Sequence, residues 1–294
     1  MGLTAAQIEI RRSGVTASDV RVLTGYDPYG RTVHDLYAAK VFGVDSYRDT
    51  EATRIGLAIE PIVIAETARK KGLQIAHRVD MTVRHPAHPT RIATPDAFLL
   101  GPELIEAKVV GFHAAHEWGE SEVGEAPDWV VIQVAWQMIV TEAKRVHVGA
   151  LIGTEVRTYT VQRDPALDQV LIEQADRFWT DHILAKRPPD VDGSEGSRRM
   201  LKAQWPRSNG TMIQAGPHAE SIARRYFAAK HVIDAAEKEK ELASQELIAL
   251  IGDNDGITGD GWRGLLKLRE ATDVAYRRDA YRHWDIRAVK GKKK

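Results

Sequence analysis

The chain has 294 residues, 43% of them hydrophobic, enough for a sizeable core in one large domain or two ordinary ones. Its 41 basic and 41 acidic residues cancel, so overall charge does not mark a nucleic-acid binder, although an active site can gather acids while bases line a local groove. The absence of cysteine excludes disulfides, Cys-ligated zinc fingers and an iron–sulfur cluster. The first residues lack a basic segment followed by an apolar one, and no apolar run of about 18 residues occurs elsewhere. A cytoplasmic protein with no membrane association is expected.

Residues 3–45 carry mixed helical spacing interrupted by a turn over residues 25–30. Thr16 or Ser18 can cap a helix that begins with Asp19 and Val20; a helix N-terminus with a hydroxyl suits phosphate, and a plain cap fits the same residues. Residues 54–72 read as a helix ending in Lys70, Lys71 and Gly72. Val79, Met81 and Val83 alternate as in a strand. His77, His85 and His88 scatter around turns, the pattern of exposed or hydrogen-bonded histidines rather than ligands.

The next stretch concentrates chemistry. Residues 97–100 and 104–110 are β-prone and flank Gly101-Pro102, which predicts a hairpin. Residues two apart in a strand share a face, so Glu106 and Lys108 point the same way and the turn returns Asp96 towards Glu106. Burying such charges costs several kcal/mol per ion in rough terms unless a partner or metal compensates. Convergent Asp and Glu oxygens suit Mg²⁺, and a neighbouring Lys can position water or neutralise phosphate. An ordinary edge hairpin with a Glu/Lys face would leave the same short pattern.

Downstream, His113 and His116 have a ligand-like spacing but no third partner. Residues 118–125 form a Gly- and Glu-rich loop, a natural flap. Pro127 opens a helix to Thr141, on which Gln133 and Gln137 share one face and need partners, in the core backbone or in a site. Residues 147–152 and 154–161 are paired strands around Gly153, and 166–185 a helix. Strands flanked by helices give an α/β core. Residues 186–197 read as linker. Beyond lie a long helix over 217–251 with a solvated Glu/Lys middle, a Gly/Asp loop whose spacing fails the calcium-loop pattern, a strand over 262–269 and a polar end over 272–286. The basic tail, 290–294, reads as a solvated end.

Pro95-Asp96 followed by Glu106-Ala107-Lys108 resembles the PD-(D/E)xK nuclease signature. With Gly56-Leu-Ala-Ile-Glu60-Pro61 before it and Gln133-Val-Ala-Trp-Gln137-Met-Ile-Val-Thr141 after it, the order resembles the YqaJ-like viral recombinase, or lambda exonuclease, family. Residues 11–20 and 157–164 look like the family's N-terminal segment and closing strand, so the resemblance spans about residues 10–185. It implies a restriction-endonuclease-like core, a central mixed sheet flanked by helices, over residues 1–188; a linker over 189–216; and a mainly helical extension with a small hairpin over 217–294.

The activity so implied is Mg²⁺-dependent 5′–3′ digestion of linear duplex DNA ends for recombination, with Mn²⁺ able to substitute. Asp96, Glu106 and the Ala107 carbonyl would bind metal, Glu60 would complete the metal or water shell, Lys108 would orient water, and Gln133 would bond that shell or a phosphate. Ser18 with Arg11 or Arg12 would hold a 5′ phosphate; Arg31, Thr94 and Gln137 are further DNA-binding candidates, Gln137 being equally suited to packing. A single-strand annealing protein and a homo-oligomer are implied partners. An endonuclease on the same site and a non-catalytic DNA-binding or recruitment module are the alternatives.

Overall fold

Two helices of the first unit grip one sheet from opposite faces, and the site lies on the strand between them. The coordinates, a computed structural model, describe residues 5–44, 50–78, 82–121 and 125–267. The chain divides into two units, residues 1–206 and 207–294.

In the first unit, α1 (Ala5–Arg12), β1 (Val15–Thr16), α2 (Ala17–Leu23) and α3 (Val33–Tyr37) come first, α3 continuing into a π turn over Ala38–Phe42. Then come α4 (Glu51–Lys71), β2 (Ile75–Arg78), β3 (Val83–Arg84), β4 (Arg91–Ala93), β5 (Ala97–Leu99) and β6 (Glu103–Val110). After a 3₁₀ turn over Phe112–Glu117 follow α5 (Asp128–Thr141), β7 (Arg145–Ile152), β8 (Glu155–Gln162), α6 (Pro165–Phe178) with a π turn over Trp179–Leu184, and α7 (Glu195–Gln204). The main sheet has the order β2-β5-β6-β7-β8; only the β6–β7 pair is parallel, with α5 in the crossover. A smaller sheet joins β1, β4 and β3.

Alternation on β6 sets the two faces. Leu104 packs into the cluster built on α5, whereas Ile105 packs with Ile64 and Ala68 of α4. α5 is apolar around most of its circumference, from Val130 to Val140, because β4, β7, α2 and α6 enclose it. On the other face α4 comes so close to β7 that a Cβ on Gly149 would lie 1.9 Å from Thr67 Oγ1. Only glycine admits that approach.

The compact unit runs past the expected boundary at 188. Composition made 186–197 look like linker, but Ser194 caps α7, and α7 docks on α3 through buried Met200 and the Arg199–Asp35 pair at 2.7 Å. Gly196 is the contact point, since a Cβ there would meet Thr32 Oγ1 at 2.0 Å. The expected flap also differs. Trp118 is buried against Tyr159, and Tyr159 Oη and Arg157 donate to the Gly119 carbonyl at 2.7 and 3.1 Å, so this end of the loop is anchored on β8. Residues 122–124, the strand positions 79–81 and the polar end at 272–286 lie outside the described residues.

The second unit holds α8 (Pro217–Ile251) and an antiparallel hairpin of β9 (Gly256–Gly259) and β10 (Trp262–Leu265). Among the described residues no helix is long and apolar enough to cross a membrane.

Candidate active site

The register Ala97↔Ile105 and Phe98↔Leu104 between β5 and β6 continues to put Asp96 opposite Glu106. The Ala107 N–H donates to Asp96 Oδ2 at 2.7 Å, which fixes the carboxylate at the mouth of the hairpin. Glu106 faces α5, as the period of two requires, and is 2% exposed. Lys108 Nζ and Gln133 Nε2 both donate to its Oε1, and Gln137 Nε2 donates to Oε2 at 2.7 Å. Gln137 is 1% exposed and its Oε1 is buried without a hydrogen-bond partner. An unpaired buried acceptor costs about 1–3 kcal/mol, a cost set against holding Glu106 in one orientation.

Gln133 is the hub. Its Oε1 accepts from Lys108 Nζ at 3.3 Å and from Arg21 Nη1 at 3.0 Å. Arg21 is 6% exposed; its guanidinium lies 5.5 Å from the Trp129 ring centre and 5.9 Å from that of Tyr29, with Asp27 3.8 Å away. Lys108 Nζ lies 5.8 Å from the same Trp129 ring, so one indole serves two cations. Neither Arg21 nor Trp129 was found from the sequence. The available signal was weak: an arginine one turn beyond Ser18, and a tryptophan one turn before Gln133.

The electrostatics run short of positive charge. The Asp96 carboxyl is pushed well above the usual carboxylate range, first by burial, then by the neighbouring Glu106, and less by Glu60, against the pull of Lys108 and of the Ala107 N–H. A half-buried and a buried acid facing one amine form a set that a hard divalent cation would complete. Glu60, on α4, shares the helix face of Ile64 and reaches Asp96 through its charge. Among the described residues no group of three or more His, Asp or Glu side chains is placed to hold a metal. The oxygen donors that fit are therefore Asp96, Glu106 and a backbone carbonyl such as that of Ala107, a set suited to a cation that keeps several waters. Glu60, expected in the metal or water shell, lies on α4, across the sheet from Gln133, and its charge acts on Asp96. His113 and His116 take no part in any such group.

All of these residues fall between positions 8 and 144, the segment that matches the YqaJ-like viral recombinase domain. "Uncharacterized protein YqaJ" of Bacillus subtilis (strain 168) is 24% identical over 242 residues, covering 80% of this chain and 74% of that one. LHK-Exo, an alkaline exonuclease from Laribacter hongkongensis, is 19% identical over 63% of this chain and 94% of its own, with a TM-score of 0.50. Its complex with dAMP gives 18% identity, 68% and 97% coverage, and a TM-score of 0.51. That likeness shows the fold of the core as restriction-endonuclease-like, and the C-terminal region is mainly helical.

The matched segment gathers most of the N-terminal candidates at the start of α2. Thr16 is the N-cap, and Ser18 lies inside the first turn. Arg11 Nη2 donates to Ser18 Oγ at 2.8 Å, and Arg31 Nη2 donates to the Ser18 carbonyl at 3.0 Å. Arg12 is directed elsewhere, 3.7 Å from Glu9 and packed beneath Gly43. Buried Asp19 takes the Thr16 N–H at 2.9 Å and Lys40 Nζ at 2.6 Å. Burial would raise the Asp19 carboxyl, but Lys40 and Arg11 outweigh it and hold the group below its ordinary range. Ser18 and Arg21 are three apart on α2, so one helix links this cluster to Gln133. Thr94, two residues before Asp96, pairs its hydroxyl with that of Thr82 at 3.1 Å.

Proposed function

We propose that this protein is a metal-dependent deoxyribonuclease that resects linear duplex DNA ends 5′ to 3′ for phage-type homologous recombination. The observation that carries the proposal is the convergence of Asp96, Glu106 and Lys108 on one hairpin, with Glu106 wired to Gln133 and Gln137. The YqaJ-like match, and a structural relative that is an exonuclease crystallised with a nucleotide, support the same reading.

Asp96, Glu106 and the Ala107 carbonyl would hold Mg²⁺, or Mn²⁺ in its place; once bound, the ion supplies charge stabilisation at the scissile phosphate and a water of lowered pKa. The remaining chemistry belongs to the chain. Lys108 aims the attacking water and balances phosphate charge. Gln133 locks Lys108 and Glu106 in mutual register, and Gln137 fixes the second oxygen of Glu106. Glu60 adds negative charge that strengthens cation binding. Ser18, Arg11 and Arg31 grip the 5′ phosphate beside α2, while Thr94 supports the DNA backbone nearby. A homo-oligomer in the host cytoplasm, working with a single-strand annealing protein, completes the reading; residues 1–206 form the nuclease core and 207–294 an accessory extension.

The test is digestion of 5′- and 3′-labelled linear duplex and of closed circular DNA with Mg²⁺, by the wild type and Asp96→Ala. The expected result is loss of linear DNA alone, from its 5′ ends, abolished in the variant. Cutting of circles would assign an endonuclease, and no digestion by the wild type a DNA-binding module.

A further inference from the structure

Along α8, apolar residues recur at alternating steps of four and three from Ile222 to Leu250, interrupted only by Lys240. That period, kept over four heptads, is the seam of a two-stranded coiled coil. The helix has 35 residues, about 52 Å at 1.5 Å per residue, yet Ile251 alone is buried. On the seam Ile222 is 48%, Ile233 55% and Leu250 73% exposed. An open apolar stripe of this length is characteristic of an interaction surface.

We infer that α8 pairs with α8 of a second copy of this chain as an antiparallel coiled coil. Residue size and charge select this occupant and direction. Centring the pair between Ile233 and Ala236 matches large residues with small ones: Ile233 meets the partner's Ala236, and Tyr226 meets the partner's Ala243. Lys240 then lies over the partner's Ala229, with room for its stem to reach water, and as the one polar seam residue it disfavours slipped registers.

The flanking charges agree. The basic end of α8 carries Arg225 and Lys230 beside the seam, and the acidic end carries Glu237 and Glu246. Antiparallel pairing sets Arg225 against the partner's Glu246, and Lys230 against the partner's Glu237, each twice by symmetry. Lys230 also pairs with Asp234 in its own helix at 3.2 Å, and its three donors serve both acids. Parallel pairing would instead set Arg225 against the partner's Lys230 and stack Lys240 on its own copy. The sequence is thus arranged for one direction. This surface is independent of the nuclease reading.

The test uses the full chain, which has no native cysteine. Ile222→Cys and Leu247→Cys proteins, mixed reduced and then oxidised, are expected to form the mixed cross-linked dimer, while each alone stays uncross-linked. Self-linking of Ile222→Cys would overturn the antiparallel direction. By sedimentation, Arg225→Glu should weaken the α8-dependent association about tenfold through two exchanged charge pairs, and adding Glu246→Arg to the same chain should restore it. Unchanged or tighter association in Arg225→Glu, or failure of the second change to restore it, would overturn the pairing. Both positions are at the helix surface, and circular dichroism verifies that the variants remain folded.

Discussion

The Arg21 guanidinium donates to Gln133 Oε1 at 3.0 Å, tying α2 to the amide that also holds Glu106 and Lys108. The helix that carries Ser18 and the hairpin that carries the acids are thereby one piece of machinery. Arg21→Gln keeps length and polarity but loses the fork and the charge between Trp129 and Tyr29. We expect a fall in kcat of about 10- to 100-fold, the usual effect of losing a group that orients a metal-site residue. Initial rates on linear duplex under saturating Mg²⁺ measure it, with an unchanged melting curve as the control.

Half-buried Asp96 and buried Glu106 are like charges side by side, so removing one should relieve the metal-free fold. Asp96→Asn is expected to stabilise the chelated protein by roughly 1–3 kcal/mol. The wild type should gain about 2.7 kcal/mol when Mg²⁺ reaches 100 times its dissociation constant, and Asp96→Asn should gain almost nothing. Melting curves in EDTA and in a Mg²⁺ series decide both; a variant that melts below the wild type in EDTA would contradict the electrostatic account.

At Gly149 the sheet meets α4 with no space for a side chain. Gly149→Ala would force its methyl onto Thr67 Oγ1, costing about 1–3 kcal/mol of overpacking. Thr67→Ala in the same chain removes the obstructing oxygen and should restore at least half of the loss. Urea titrations of the two single variants and the double variant measure the coupling.

The α3–α7 contact should respond to acid. Burial would raise the Asp35 carboxyl, but bonds from Arg199 and from the Thr32 N–H and hydroxyl prevail and hold it below its ordinary value of 3.8. A carboxyl lowered in the folded state contributes stability that is fully present above its unfolded pKa and is lost as pH falls through the folded one. Arg199→Ala should therefore cost about 1 kcal/mol at pH 7 and nearly nothing well below pH 3.8, Arg199 being partly exposed and screened. Urea midpoints at several pH values test the convergence, and amide exchange over residues 195–204 shows whether α7 loosens.

Local periodicity made much of the site readable. Two-residue alternation put Glu106 and Lys108 on one face, and four-residue spacing put Gln133 and Gln137 on another, and these are the faces that meet. The turn over Gly101-Pro102 and the helix end at Gly72 were marked by residues with restricted backbone choices. What escaped depended on tertiary closure. Arg21 finds Gln133 across 112 positions, and no pattern within α2 announces it. Arg11 could not be told from Arg12 because their directions depend on how α1 lies against the start of α2. The Gly/Ser content of 193–197 has the composition of slack chain, yet it permits close packing of α7 on α3. Which face of the sheet carries Glu60 depends on how α4 packs, which the motif's spacing does not encode.

The sheet pairs β6 with β7 in parallel, and the chain between them is α5. Hairpins such as β7–β8 can zip locally, but that parallel seam must wait until the intervening helix has folded back over the sheet. Glu106 meets its glutamines only at that moment. A chain in which this segment has not yet closed holds scattered acids and amides, so the candidate site is assembled only together with the finished core.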